Sequence, residues 1–152
     1  TRYEFVTGVQ TCALPIPPRL ADGQPFPTFY YATCPRLTGA ISTLESSGVM
    51  ASMSERLLTD PELAGEYQAA HIDYEASRSA VAAELNIDVP EISGITAGGM
   101  PDRVKCLHAL IAHSLAAGNG VNPLGDEVLT QLDPWWTAKP CSEVSNLTEL
   151  GN

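Results

Sequence analysis

Cys106, His108 and His113 fall within eight residues of one apolar run. A thiol beside two imidazoles is the raw material of a metal site or of a nucleophile–base pair. Cys34 and His71 carry the same chemistry from earlier in the chain. Zinc suits such a set, because thiolate and imidazole are its common ligands. The candidate metal ligands are therefore Cys34, His71, Cys106 and His108. The candidate catalytic residues are Cys106, His108 and His71, with Cys106 as nucleophile and a histidine as its base. A cysteine near a helix start is expected to have a lowered pKa.

Helix geometry limits these combinations. The run reads as one helix opened by Pro101-Asp102 and ended by Gly118. On a regular helix, residues two apart point about 200° away from each other, so Cys106 and His108 diverge. Cys106 and His113 share a face but stand ~10 Å apart along the axis. His108 lies instead with Val104, Ile111 and Leu115. The spacing differs from that of HExxH, whose histidines are one turn apart. A regular helix thus offers one of the three to any given ion, and the other ligands come from elsewhere. The competing account, a buried thiol and hydrogen-bonded histidines filling a core, is the one this geometry favours.

A second chemistry is anion binding. Gly98-Gly99-Met100-Pro101-Asp102 leads into the expected helix, and Arg103 and Lys105 fall in its first turn. Free backbone N–H groups with two cations can hold a phosphate or another small anion. The ligand-binding set is Gly99, Arg103, Lys105 and His71. Cations at a helix start oppose the dipole, so a nearby acid or a bound ligand should compensate. The GxxxxGK[ST] phosphate loop is absent. In the plainer account the glycines only make a turn and Arg103 pairs with an acidic helix. Asp126 and Glu127 offer carboxylates, which a role at the start of the last helix explains equally well.

The elements that must position these residues are mostly helices. Pro17 to Pro27 reads as an extended arm with a turn at Asp22-Gly23. TFYYAT, Thr28 to Thr33, reads as one strand. Pro35 opens a helix to about Ser47, with Leu37, Ile41 and Leu44 on one face and Gly48 as its stop. Asp60-Pro61-Glu62 is a capping acid, a proline at the first position and an acid favoured by the dipole. The helix it starts runs to about Leu85 on a stripe of Leu63, Tyr67, Ala70, Tyr74, Val81 and Leu85, with His71 and Arg78 at the edge. Asn86 to Gly99 is a link, and Pro123 to about Leu132 is a last short helix. Trp135 and Trp136 follow, and pack back on the body or, if exposed, mark an interface. The helix from Asp102 to Ala117 is apolar almost all round, as buried helices are. The fold class is α+β and mainly helical: one small domain with a buried central helix and a small N-terminal β element.

At 152 residues the chain has the length of a single domain, and 44% hydrophobic residues supply a core. No stretch reaches the ~20 apolar residues of a membrane span. No basic-then-apolar leader is present, so a cytoplasmic protein is expected. The net charge is −10. Between Glu45 and Glu91 stand ten acids against Arg56 and Arg78. Such a surface repels phosphate backbones and argues against nucleic acid as a partner. Cys12, Cys34, Cys106 and Cys141 make no CxxC pair and no tight disulfide framework.

Val6 to Ile16, VTGVQTCALPI, reads as the translation of a sequencing adapter, a contaminant of assembled metagenomic reads. Residues 1–16 are therefore set aside from the expected domain, which spans 17–132 and is followed by a tail over 133–152. On this reading Cys12 is not a natural ligand and the chain is a truncated one.

PFPTFYYATCP, AAHIDYEASR and GGMPDRVKCLHALIAHSLAAGNGVNPLGDE together resemble the bacterial family called domain of unknown function 501, over roughly Pro18 to Leu132. The resemblance implies a protein of high-GC Gram-positive bacteria, encoded near a septum formation initiator protein and an exopolyphosphatase. It implies an association with cell division or phosphate metabolism. Members carry a cysteine-bearing segment ahead of the PFPT run, where this chain has its adapter-like stretch. Two functions are expected. The first is a small domain that binds an anion, another ligand, or a partner such as a cell-division protein. The alternative is an enzyme with a Cys/His site and zinc as its cofactor.

Overall fold

The structure, a computed structural model, describes residues 12–135. Two short strands, β1 (Ala13–Pro15) and β2 (Tyr30–Ala32), pair antiparallel with Leu14 opposite Tyr31. β2 falls within the strand expected from TFYYAT. Its partner comes from the stretch that the sequence reading set aside. The arm between them folds back on itself, with Arg19 bridged to Pro25 and a turn at Gly23.

Five helices follow among the described residues: α1 (Pro35–Glu45), α2 (Val49–Thr59), α3 (Pro61–Glu84), α4 (Leu107–Ala117) and α5 (Pro123–Gln131). Their starts are written in the sequence. Proline occupies the first turn of α1, α3 and α5, where its missing N–H costs nothing. Asp60 caps α3 by accepting from the N–H groups of Glu62 and Leu63, both at 3.1 Å. Asn122 caps α5 by accepting from Gly125 N–H at 3.0 Å. Gly48, in the left-handed region at φ 83°, separates α1 from α2. The sequence reading assigned no helix to Val49–Thr59. Only Met53 and Leu57 of α2 are buried, so its apolar stripe is two residues long and easily passed over.

The central helix is α4, with an unbroken buried run from Ala109 to Ser114. It packs on α5, on both strands and on α1, while α2 and α3 pack on each other. Gly125 lets α5 approach closely: a Cβ there would collide with Ser114 Oγ and the Leu110 carbonyl.

α4 begins at Leu107, five residues later than its expected start. The loop before it is held by other bonds. Lys105 N–H donates to the Gly98 carbonyl at 2.7 Å and Arg103 N–H to that of Gly99 at 3.1 Å. Val104 N–H donates to Ser54 Oγ at 3.0 Å, and Tyr67 Oη donates to the Arg103 carbonyl at 3.1 Å. Groups engaged across the fold in this way are withdrawn from a helical ladder. Gly99, at φ 93°, makes the turn, and a Cβ on it would lie 2.6 Å from the Arg103 carbonyl oxygen.

α3 is the strut of the molecule. Its buried face includes the expected Leu63, Tyr67, Ala70 and Tyr74, with His71 and Arg78 drawn in beside them; Leu85 lies outside, 49% exposed. Arg78 is only 2% exposed. Its guanidinium donates to the carbonyls of Pro27, Ile92 and Ile95 at 2.6–2.8 Å. The α3 strut thereby holds both the N-terminal arm and the link toward α4, and burial draws the Arg78 pKa downward.

Candidate functional site

Cys106 and His108 converge. The sequence reading placed both inside a regular helix, where they diverge. In the structure Cys106 precedes the helix as its N-cap, with extended backbone at φ −154° and ψ 113°. The 100° step of a helix therefore does not separate it from His108, which sits in the first turn of α4. The third member is Glu45, the last residue of α1. One ligand atom from each of Glu45, Cys106 and His108 lies within 4.8 Å of the others, and all three residues are half-buried.

Glu45 is the hinge of this cluster. Its Oε1 accepts from Leu107 N–H at 2.7 Å and lies 3.1 Å from His108 Nδ1. A carboxylate at the first N–H groups of a helix is well placed against the dipole. It is the compensating acid that a helix start near two cations requires. No local pattern joins residues 62 apart in sequence. The other ring nitrogen of His108, Nε2, lies 3.3 Å from the Thr38 carbonyl and 3.5 Å from Ser42 Oγ.

The thiol of Cys106 was expected to have a lowered pKa, and its direction is the reverse. Burial is the largest cause and pushes it up. The backbone N–H groups of Ala109 and His108 pull it down, while the charge of Glu45 and a hydrogen bond to it add to the rise. The helix start is present, but desolvation and a neighbouring carboxylate outweigh it.

Cys106 and His108 also line a cavity of about 420 Å³. Strand β2, Thr28, Ala97, Gly98 and Ala109 complete its lining. The walls combine small apolar groups and the side chains of Tyr30 and Tyr31 with the thiol, the imidazole and the Thr28 hydroxyl. Gly98 lets this loop pack directly on α4: at φ 70°, a Cβ would lie 2.8 Å from Leu110 Cδ2 and 3.2 Å from the Cys106 carbonyl. Tyr31 is 45% exposed and stacks on Phe26, with ring centres 6.2 Å apart. A second groove of about 300 Å³ runs between the end of α3 and residues 87–93, with no thiol or imidazole in its wall.

The remaining candidates are distributed elsewhere. His71 is buried with Nδ1 2.9 Å from Thr96 Oγ1. Cys34 is buried as the N-cap of α1 and is not part of the Glu45 cluster. Gly99, Arg103 and Lys105 belong to the loop before α4, and both cations are exposed. The helix N-terminus expected beside them lies at Leu107 and meets the Glu45 carboxylate. His113 is fully buried, with Nε2 2.9 Å from Asp73 Oδ2 and Nδ1 3.2 Å from Asn122 Nδ2. Its ring stacks on Tyr30 and meets Tyr74 edge-on. Trp135 is buried in the core, and Trp136 lies outside the described residues.

Among the described residues, no helix is long and apolar enough to cross a membrane. A family model described as protein of unknown function (DUF501) matches residues 6–130. No curated protein and no solved structure matches the chain.

Proposed function

The chain belongs to the family DUF501, and we propose that it is a ligand-binding domain whose site is the cavity beside Cys106 and His108. One observation carries this reading: a cavity of about 420 Å³ has a thiol and an imidazole in an otherwise largely apolar wall. Small-molecule sites are concave and mainly apolar, with a few polar groups that fix orientation, and fall at ~300–1,000 Å³. The ligand this shape fits is a small molecule with an apolar body and one hydrogen-bonding head. The body rests on Ala32, Ala97 and Ala109, and the head lies at the end of the cavity formed by Cys106 and His108. The Glu45 carboxylate, behind the imidazole at 3.1 Å, disfavours an anion. The reading therefore moves the ligand away from the loop of Gly99, Arg103 and Lys105, whose cations face solvent.

A fragment screen read by amide NMR tests it. The expected shifts cluster at Ala97, Gly98, Cys106, His108 and Ala109, and weaken in His108→Ala. Shifts confined to the groove at Ser79 and Ser93, or to Arg103 and Lys105, would relocate the site and end this reading.

A further inference from the structure

We propose that Glu45, Cys106 and His108 bind one divalent metal ion of the zinc class, with its fourth position open to the cavity. The donor set comes first. Thiolate, imidazole and carboxylate are the three protein ligand types zinc takes, at ~2.3, ~2.0 and ~2.1 Å. A sulfur donor disfavours magnesium and calcium, which prefer all-oxygen sites. A thiolate and a carboxylate together balance the two positive charges, so the half-buried site is neutral when loaded.

The second observation is the far side of the imidazole. His108 presents Nδ1 to Glu45 at 3.1 Å and Nε2 to the Thr38 carbonyl at 3.3 Å. Metal-bound histidines commonly donate their other N–H to a carbonyl or carboxylate, which fixes the ring and its tautomer. With Nδ1 on the ion, Nε2–H donates to Thr38. Two helices thus build the site: α1 gives Glu45 and, behind the ring, the Thr38 carbonyl, and α4 gives His108 with Cys106 as its cap.

The third observation is the opening. Cys106 and His108 line the cavity, whereas Glu45 does not. Structural zinc sites close with four protein ligands; sites with three keep a position for water or a ligand. Only the occupant of that fourth position rests on the ligand-binding reading above. The ion itself is independent of it. A bound cation also reverses the local proton balance at Cys106, since a coordinating thiol loses its proton outright.

The test is cobalt(II) titration of the chelator-treated full chain under reducing conditions, followed by displacement with zinc. The expected result is one cobalt per chain, with a thiolate-to-cobalt charge-transfer band that zinc abolishes. Cys106→Ser should remove the band while the far-ultraviolet circular dichroism stays native. Glu45→Gln and His108→Ala should each weaken zinc binding by about 100-fold or more, above the ~10–100-fold of second-layer partners. No charge-transfer band in the wild type overturns the proposal. So does a band that survives in Cys106→Ser, since the thiolate would then be another cysteine. Fragments that bind in the cavity of a chain that takes no cobalt would remove the ion and leave the pocket. Cobalt binding with no cavity ligand would do the opposite.

Discussion

His108 and His113 stand on the same helix, five residues apart, and do opposite things. His113 is 0% exposed, and each ring nitrogen meets a side chain of another element, Asp73 on α3 and Asn122 at the cap of α5. Aromatic rings cover its faces. It joins three helices and has no surface left for a ligand. His108 is half-buried, its partners come from α1, and it forms part of a cavity wall. A histidine in an apolar helix is therefore uninformative by type. Its role is decided by which element faces it and by whether that contact is closed.

The largest expected effect lies at the closed end. His113→Ala leaves a cavity and deprives Asp73 and Asn122 of their partner, which should destabilise the fold by about 3–5 kcal/mol in urea denaturation. His108→Ala removes the ring's bonds to Glu45 and Thr38 at a half-buried site and should cost about 1–2 kcal/mol. Equal losses at the two positions would erase the distinction.

The smallest effect is a dependence on pH. Burial raises the Cys106 thiol pKa in the folded chain. The folded state then holds its proton where the unfolded state has lost it, so stability is fully present below the ordinary thiol pKa. It declines as pH rises through the window between the unfolded and the folded value. Denaturation of the metal-free wild type and of Cys106→Ala across that window should differ in slope, the variant being flatter. Parallel profiles would place no burial penalty on this thiol.

The legible part of the fold was what local chemistry dictates. Asp60 with Pro61, Pro123, and Pro35 each announced a helix, and each helix begins there. The apolar run around Leu110 announced the buried centre. The illegible parts are tertiary. The start of α4 moved because Gly98, Gly99, Ser54 and Tyr67 bind the backbone of the loop before it. That shift turned Cys106 and His108 from diverging neighbours into converging ones. Of the expected metal ligands, these two meet, whereas His71 is bonded to Thr96 and Cys34 lies outside their cluster. Glu45 is illegible because an acid at the end of a helix names no distant partner. Its meaning comes from a helix start far along the chain.

The most direct measurement is a long-range proton–nitrogen NMR spectrum of the three imidazoles, recorded while zinc is added to one equivalent. The account predicts that the ring nitrogens of His108 shift, with Nδ1 taking the ion and Nε2 keeping its proton, while His71 and His113 stay in place. Movement of His71 or His113 with His108 unchanged would contradict it, as would three rings that all ignore the metal.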